Sequence, residues 1–421
     1  MHDVAAAGSN EALRPRTENA RKPSLLFVLP IVPWPIRRDG ISLRFAPIIA
    51  HLAQHYEVDI LVLAEEDEPL PSSRSLEQCH ALDIIPVPMT SLPRWLRRIR
   101  AAWYGISPLG PPLSFSRYAT RLLDRALLSY LEDKDYSVVI WATRHLDVAC
   151  RICQRYPRTR FVIDVVDSPA LFSFRNASTN LGLRLVTRYE GWKWHRLERR
   201  AQEAFDATIY ISNVDAQVVR AGPAARVHVV PNGIFHADAP PLAATVPPGR
   251  TVGFLGNMSY EPNISAALRL AQRIFPRILS RLGDATLLII GRDPAPVISQ
   301  LGGPGISVTG TVDNIWPYIA RANVFVFPMI EGTGLQNKIL EAMYARVPVV
   351  TTRIAANGMG AGNGEHLLVG DTDDEIAGHA LKILCDSQYS ADLAERARAF
   401  VLREFSWPAI LPRYEAIIAP R

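Results

Sequence analysis

The chain has few cysteines and lacks a long hydrophobic run, and each of these features excludes a class of protein. Four cysteines in 421 residues are too few for a disulfide framework, which predicts a reducing compartment such as the cytoplasm. Cys150 and Cys153 form a C-x-x-C pair. No second pair lies nearby, and the flanking sequence is typical of a helix, which favours structural residues over a metal or redox site. No apolar stretch reaches the roughly 18 residues of a membrane-spanning helix.

Strong charge is lacking as well. The net charge of +5 mildly favours anionic partners but is far below that of a dedicated nucleic-acid binder of this length. No basic stretch is interleaved with stacking aromatic residues, so we expect no nucleic-acid partner. Residues 1–22 lack the continuous apolar core of a secretory signal and are predicted to form a flexible N-terminal segment.

Short apolar runs alternate with helical stretches along the chain, which predicts an α/β protein with parallel sheets. The first half runs from "SLLFVLP" to "VHVVPNG", and the second restarts at "TVGFLGN" after a stretch with several prolines. We predict two Rossmann-like domains that face a cleft, over 23–235 and 251–404, joined by a linker over 236–250. A C-terminal helix over 405–421 is expected to pack back on the first domain.

The segment "EGTGLQNKILEAMYARVPVVTT", residues 331–352, carries the clearest chemical signal. It places Gly332 and Gly334 in a loop between a strand and a helix, where the unpaired N–H groups of the helix start suit a phosphate. Lys338 lies in the first helical turn, a position that the helix dipole disfavours for a cation unless an anion lies between. Glu341 falls on the same side, so the two can address a phosphate and a sugar of one ligand; a solvated salt bridge is the alternative.

This segment resembles the donor-binding segment of the retaining glycosyltransferases of family four, which have the GT-B architecture of two Rossmann-like domains. Further stretches, over roughly residues 24 to 418, resemble other parts of the family's pattern: "PWPIRRDGISLRFAPIIAHLAQHYEVDILVL", "VHVVPNGI", "VGFLGNMSYEPNISAAL" and "FSWPAILPRY". The resemblance implies transfer of a sugar from a UDP- or GDP-sugar to an acceptor with retention of anomeric configuration. It also implies that the departing diphosphate oxygen takes the acceptor's proton, without a protein nucleophile, a metal or a cofactor.

The family pattern implies roles for residues of this loop. Glu341 matches the second of two family glutamates and would hold the nucleotide ribose. The first faces the donor sugar; here nine residues separate Glu331 from Glu341, more than in the family, and the family spacing falls on Thr333. Backbone amides at three neighbouring positions could take the same role: Gly334, Leu335 and Gln336.

Other donor contacts also follow from the resemblance. Relatives carry basic residues after the "GNMSYEPN" strand, where this chain has Asn257 and Pro262. Lys338 would therefore be the main basic donor ligand, and Arg292 is either a second one or a solvated loop arginine. Backbone groups around three residues would read the nucleobase: Thr309, Gly310 and Val312.

The first domain is expected to contribute a glycine, a cation and a histidine. The resemblance makes Gly40, in "PWPIRRDGISLR", a contact to donor phosphate or acceptor. Arg44 is the favoured cation nearby, ahead of Arg37 and Arg38. His145 follows another strand and either orients the transferred sugar, as in relatives, or caps a helix.

A third strand end of the first domain carries polar residues in "FVIDVVDSP". Asp164, Asp167 and Ser168 can all face the cleft. Asp167 either hydrogen-bonds the acceptor hydroxyl or caps the next helix, and the proline that follows favours the cap.

Residues 91–105, "SLPRWLRRIRAAWYG", have the pattern of a helix at a membrane interface. The apolar side carries Leu92, Trp95, Leu96, Ile99 and Trp103, and the other carries Arg94, Arg97, Arg98 and Arg100. Many family members act on lipid-linked acceptors. We therefore expect this helix to contact either the acceptor or an anionic membrane surface, namely the inner face of the cell membrane. The alternative is a helix docked on its own domain with a solvated basic face.

Other functions stay open. The irregular glutamate spacing and the missing basic pair allow a non-catalytic scaffold of the same fold that binds sugar nucleotides. A natural-product glycosyltransferase is the alternative to one that builds a lipid-linked or polysaccharide glycan.

Overall fold

The first half of the chain forms a seven-stranded parallel sheet in a computed structural model. The structure describes residues 22–36, 40–64, 71–72, 76–175, 181–219, 226–234, 249–331 and 335–420. The strand order is β3-β2-β1-β4-β5-β6-β7. The strands are β1 (Ser24–Leu29), β2 (Glu57–Ala64), β3 (Ala81–Pro86), β4 (Val138–Trp141), β5 (Arg160–Val166), β6 (Ala207–Tyr210) and β7 (Val227–Val229).

The second half forms a separate six-stranded parallel sheet with the order β10-β9-β8-β11-β12-β13. Its strands are β8 (Thr251–Leu255), β9 (Thr286–Ile290), β10 (Ile306–Val308), β11 (Val324–Phe327), β12 (Val349–Thr351) and β13 (Leu368–Val369). Both orders reverse direction beside the first strand of the sheet, between β1 and β4 and between β8 and β11. Ligands of such doubly wound sheets bind at these reversals, beyond the carboxyl ends of the strands.

Helices connect the strands in both halves. The first half contains α1 (Gly40–Leu52), α2 (Arg94–Ile106), α3 (Thr120–Glu132), α4 (Leu146–Ile152), α5 (Pro169–Arg175), α6 (Leu181–Ala204) and α7 (Asn213–Val218). The second contains α8 (Glu261–Arg269), α9 (Phe275–Leu279), α10 (Pro296–Ser299), α11 (Trp316–Ile319), α12 (Asn337–Tyr344), α13 (Arg353–Ala356), α14 (Asp373–Cys385) and α15 (Ser387–Phe405). A π-helical turn, Leu270–Ile274, joins α8 to α9. The last helix is α16 (Trp407–Ile418).

Alternation along the strands divides the first core into two layers. Leu26 and Val28 of β1 belong to one hydrophobic cluster, whereas Leu25 and Phe27 belong to the cluster on the opposite face. Side chains of a strand point alternately to the two faces, and both faces of this sheet are covered, which explains why its strands are continuous apolar runs. The predicted fold class, two α/β domains with parallel sheets, is confirmed.

The chain returns to the first half at its end. Phe405, at the end of α15, lies in the core of the second half, whereas Trp407 and Tyr414 of α16 lie in the same cluster as β1. The Ile234 N–H donates to the Phe405 carbonyl across 2.8 Å at the crossing. Most of the predicted linker, and residues 1–21, lie outside the described residues.

The carboxyl edges of the two sheets adjoin. Ser212 and Val214 follow β6 in the first half, and Gly358 lies in the loop beyond β12 in the second. A Cβ added to Gly358 would lie 3.6 Å from the Ser212 Cβ and 3.6 Å from a Val214 methyl. The ligand-binding edges of both sheets therefore open toward the same region.

Candidate active site

A cavity of about 520 Å³ lies at the strand-order reversal of the first sheet. It is formed beyond the ends of β1, β4 and β5 and at the start of α1. Its polar lining comes mainly from two loops: Thr143, Arg144 and His145 after β4, and Asp167 after β5. This position is where a doubly wound sheet binds its ligand.

Gly40 begins α1 at the rim of this cavity. A Cβ added here would meet no atom within 4 Å, and its φ is not in the left-handed region. Neither the backbone nor packing therefore requires glycine at this position, and its lack of a side chain leaves room for a ligand to approach. Arg37 and Arg38 lie outside the described residues.

His145 lies in the wall of the cavity with only 3% of its surface exposed. Its ring makes edge contacts with Phe115 and Tyr118, at centroid distances of 5.8 and 5.2 Å. Although His145 occupies the residue before α4, its side chain makes no capping hydrogen bond. Aromatic packing, rather than a helix cap, fixes the orientation of this imidazole beside the cavity.

Arg44 is completely buried and is not among the residues that line the cavity. Its Nε lies 2.9 Å and its Nη2 2.9 Å from Asp164 Oδ2, and Nη1 donates to the Val230 carbonyl at 3.0 Å. Tyr414 of α16 donates to the same carboxylate at 3.1 Å. This burial argues against the expected donor contact of Arg44 and against a cleft-facing Asp164, because the two neutralise each other inside the protein.

Asp167 is exposed at the cavity, but it does not cap the following helix. Ser168 does so, because its Oγ accepts from the Leu171 N–H at 3.2 Å. Desolvation by the surrounding protein, followed by the charge of Asp215, raises the pKa of Asp167. The charges of Arg44 and Arg144 act in the opposite direction but do not cancel this increase. A carboxyl group at this position can hydrogen-bond a ligand hydroxyl.

The turn from β5 into the following loop is strained and is held by hydrogen bonds from behind. Val166 has φ of 60°, a strained conformation for a β-branched residue, at a register shift beside Asp164. Behind the loop, buried Glu198 accepts from Ser168 Oγ at 2.9 Å and from the Ala170 N–H at 2.8 Å. Burial raises the pKa of Glu198 to about 7.

Lys338 lies at the strand-order reversal of the second sheet, in the first turn of α12. Its Nζ donates to Asn263 Oδ1, lies 3.4 Å from Met329 Sδ, and sits 5.6 and 5.8 Å from the ring centroids of Phe254 and Phe327. Desolvation lowers its pKa to about 8. Among the residues that the structure describes, none pairs a carboxylate with this ammonium, so an anionic ligand can supply the missing charge.

The start of α12 has neither a side-chain cap at Gln336 nor an acidic first turn. Glu341 is half-buried one turn beyond Lys338, and Glu331 is exposed at the other end of the loop. Leu335 packs against the core of the second domain. Gly332, Thr333 and Gly334 lie outside the described residues.

The other predicted donor contacts follow β9 and β10. Arg292 has 60% of its side chain exposed and lies 4.0 Å from the Asp293 carboxylate, a weak pair that leaves it available to solvent or ligand. Gly310 has a φ of +68°, which explains a glycine there. Thr309 donates to the Gly310 carbonyl, and the half-buried Val312 side chain packs against the core.

The helix α2 turns Arg100 inward and its two tryptophans outward. None of its residues is fully buried. Arg100 donates to the Tyr118 carbonyl at 2.7 Å, whereas Trp95 and Trp103 are 62% and 64% exposed. Since Leu92 and Leu96 are half-buried and Tyr104 packs against the core of the first domain, a helix docked on its own domain with a solvated basic face stays the alternative to a membrane contact. Nowhere in the described ranges does a helix combine the length and hydropathy needed to cross a membrane.

Two residues of the site escaped the sequence analysis. Arg144 is exposed in the cavity lining beside His145, and Asn263 in the first turn of α8 holds Lys338. Both residues follow the end of a strand, and this position was the signal that the sequence offered. No motif distinguishes either residue from its neighbours. Cys150 and Cys153 are buried, and burial raises the pKa of both thiols, which favours the predicted structural role over a reactive one.

Two doubly wound parallel sheets with adjoining carboxyl edges form the GT-B fold of glycosyltransferases. Residues 249–386, which include β8 to α14 and Lys338, match the family described as glycosyl transferases group 1. An uncharacterized 44.6 kDa protein in the cps region of Klebsiella pneumoniae is 25% identical over 161 residues. That match spans 36% of this chain and 42% of the Klebsiella protein.

Solved structures share the fold over nearly the whole chain. A sucrose-phosphate synthase from Thermosynechococcus elongatus has a TM-score of 0.65 at 16% identity, covering 94% of this chain and 98% of its own. HepE from Anabaena, in complex with UDP, has a TM-score of 0.61 at 15% identity, covering 93% and 98%. At such identities the likeness concerns the fold.

Proposed function

We propose that the protein is a retaining glycosyltransferase of family four that moves a sugar from a UDP- or GDP-sugar to a glycan acceptor. The observation that carries this proposal is the environment of Lys338. A desolvated ammonium faces an amide oxygen and two aromatic rings at the strand-order reversal of the second sheet. Together with the start of α12, where the Gln336 side chain forms no capping bond, it suits the diphosphate of a nucleotide sugar.

On this proposal the two domains have separate tasks. Lys338 and the α12 amides stabilise the charge that develops on the leaving diphosphate, without a metal or cofactor, and Glu341 holds the ribose. In the cavity of the first domain, His145 contacts the transferred sugar and Asp167 hydrogen-bonds the acceptor hydroxyl. The diphosphate oxygen then takes the acceptor's proton on the face from which the acceptor attacks, so the role of the protein is mainly alignment.

We further propose that the acceptor is a lipid-linked glycan or a polysaccharide. The protein would meet this acceptor at the cytoplasmic face of the membrane. The outward face of α2 carries exposed Trp95, Ile99 and Trp103, and Arg94, Arg97 and Arg98 are exposed on the same helix. The neighbouring α6 adds Trp192, which is 44% exposed and stacks on Tyr189. Tyr189 ties the helices together by donating to the Ile106 carbonyl at 2.7 Å. Tryptophan with arginine suits an anionic bilayer surface.

Calorimetric titration with UDP, GDP and a panel of their sugars tests the function, followed by an assay for slow donor hydrolysis. Lys338→Ala and Glu341→Ala should each weaken donor binding at least about tenfold, the loss expected for a hydrogen bond to a charged group. Lys382→Ala, which removes an exposed lysine of the same domain that also faces an aromatic ring, should bind normally. Donor binding without hydrolysis or transfer would indicate a scaffold, and full affinity in both site variants would refute the pocket.

A further inference from the structure

A second cluster of ligating side chains lies outside the candidate active site, between α1 and α16. His51 is in the last turn of α1, and His55 is in the turn that follows. Both imidazoles face Glu415 of α16. His51 Nε2 lies 2.8 Å from Glu415 Oε2, and His55 Nδ1 lies 2.9 Å from Oε1.

We propose that His51, His55 and Glu415 bind a divalent transition-metal ion such as Zn²⁺. Their donor atoms all lie within 4.8 Å of one another. Two imidazole nitrogens and a carboxylate oxygen are ligands that Zn²⁺ commonly takes. One histidine would suffice for an ion pair with Glu415. Two imidazole nitrogens and one carboxylate oxygen, in contrast, can occupy three positions of a coordination sphere.

The donor atoms can reach the spacing of a metal site by side-chain rotation. Tetrahedral metal–ligand distances of about 2.0–2.2 Å place neighbouring donor atoms about 3.4 Å apart. The nitrogen–oxygen contacts of 2.8 and 2.9 Å are shorter than this spacing, and the 4.8 Å limit on all the donor pairs is longer. The His55 side chain is 53% exposed, so solvent can reach the site and supply the remaining ligand.

The ion would link the last helix of the chain to the first domain. Glu415 lies on the helix that crosses from the second half, and both histidines belong to the first. Binding that occurs only when α16 is docked stabilises the docked state by mass action. This role is structural, lies outside the cavity and Lys338, and does not rest on the proposed transfer reaction.

Calorimetry with ZnCl₂ on the full-length, tag-free, chelator-treated chain tests the site. We expect one Zn²⁺ per chain and a higher midpoint of thermal unfolding when Zn²⁺ is present. His51→Ala and Glu415→Gln should each weaken Zn²⁺ binding by at least about 10-fold, the lower end of losses seen even for outer-shell partners. Circular dichroism establishes that both variants are folded, and Glu415→Gln keeps the shape of the side chain.

His80→Ala is the matched control, because His80 also faces two carboxylates, Asp59 at 2.9 Å and Glu57 at 3.5 Å, in the same domain. It should bind Zn²⁺ like the unmodified chain. Three results would overturn the proposal: no Zn²⁺ uptake by the unmodified chain, unchanged affinity in His51→Ala and Glu415→Gln, or loss of binding in His80→Ala alone.

Discussion

Two cations with opposite surroundings mark the two halves of the molecule. Arg44 has its guanidinium engaged by a buried carboxylate and a backbone carbonyl. Lys338 has polar contacts only to an uncharged amide and a thioether among the described residues. A neutralised buried cation contributes to packing, whereas a desolvated one without a counter-ion is suited to receive an anion. The two residues should therefore respond differently to substitution.

Replacing Arg44 with methionine should destabilise the protein rather than impair donor recognition. The change leaves Asp164 buried without its cation, and breaking a buried pair costs about 3–5 kcal/mol in free energy of unfolding. Urea unfolding measures the loss, and Arg292→Met, at an exposed arginine, should stay within about 0.5 kcal/mol. A stable Arg44→Met protein with weakened UDP binding would instead restore Arg44 as a donor ligand.

Donor affinity should fall as pH rises, through Lys338. Desolvation lowers its pKa from 10.5 to about 8 in the folded chain, so the ammonium that binds phosphate is lost above that pH. A bound diphosphate shifts the midpoint upward because it favours the charged form. Calorimetry with UDP between about pH 7 and pH 9.5 should show this decline, and Lys338→Met should bind weakly with a flatter profile. A profile identical in both proteins would contradict the assignment.

The lowered pKa of Lys338 affects stability in the opposite direction: donor affinity falls as pH rises, whereas the stability of the ligand-free protein increases. Between about pH 8 and 10.5 the unfolded chain keeps a proton on Lys338 that the folded chain has released. In that window the contribution of this residue to the free energy of unfolding rises with pH. Below it the buried charge is a cost, so Lys338→Met should be at least as stable as the unmodified chain at neutral pH, as thermal unfolding would show.

At the scale of elements, the sequence predicts strands and motif placement better than the direction in which helices face. Buried strands are continuous apolar runs, and α12 follows β11 through a glycine loop, so both were recognisable. The partner of Arg44 lies 120 positions away, and no local pattern indicates that pairing. The periodicity of α2 shows an apolar side, but the Tyr118 carbonyl that turns Arg100 inward belongs to a distant segment.

The outward aromatic face of α2 predicts binding to anionic membranes. Trp95→Ser combined with Trp103→Ser should reduce flotation with anionic liposomes at least about tenfold, because the variant lacks the apolar area of two indoles that the bilayer would bury. Tyr260→Ser, at a half-exposed aromatic residue of the second domain, is the control. Binding of the unmodified chain should weaken with added salt, since the arginines contribute electrostatically. Equal recovery with neutral vesicles would exclude the preference for anionic membranes, and equal flotation of the double variant and the unmodified chain would exclude a membrane role for this face.

At the scale of the whole molecule, one helix joins the two halves. The chain leaves the second core at Phe405 and enters the first at Trp407. The indole of Trp407 lies against Gly233, the residue before the isolated backbone bridge of Ile234 to Ser406. The geometry of the shared region between the sheets therefore depends on how closely α16 docks.

Gly233→Ala tests that dependence. The added Cβ would lie 2.4 Å from Trp407 Cδ2, far inside contact distance, so the indole must move and α16 must loosen. Overpacking of this kind typically costs about 1–3 kcal/mol, and limited proteolysis should cut α16 faster, while UDP affinity persists because Lys338 and α12 are untouched. Gly378→Ala in α14, where an added Cβ meets no atom within 4 Å, is the matched control. Equal proteolysis of the two variants would mean that close docking of Trp407 does not hold the halves together.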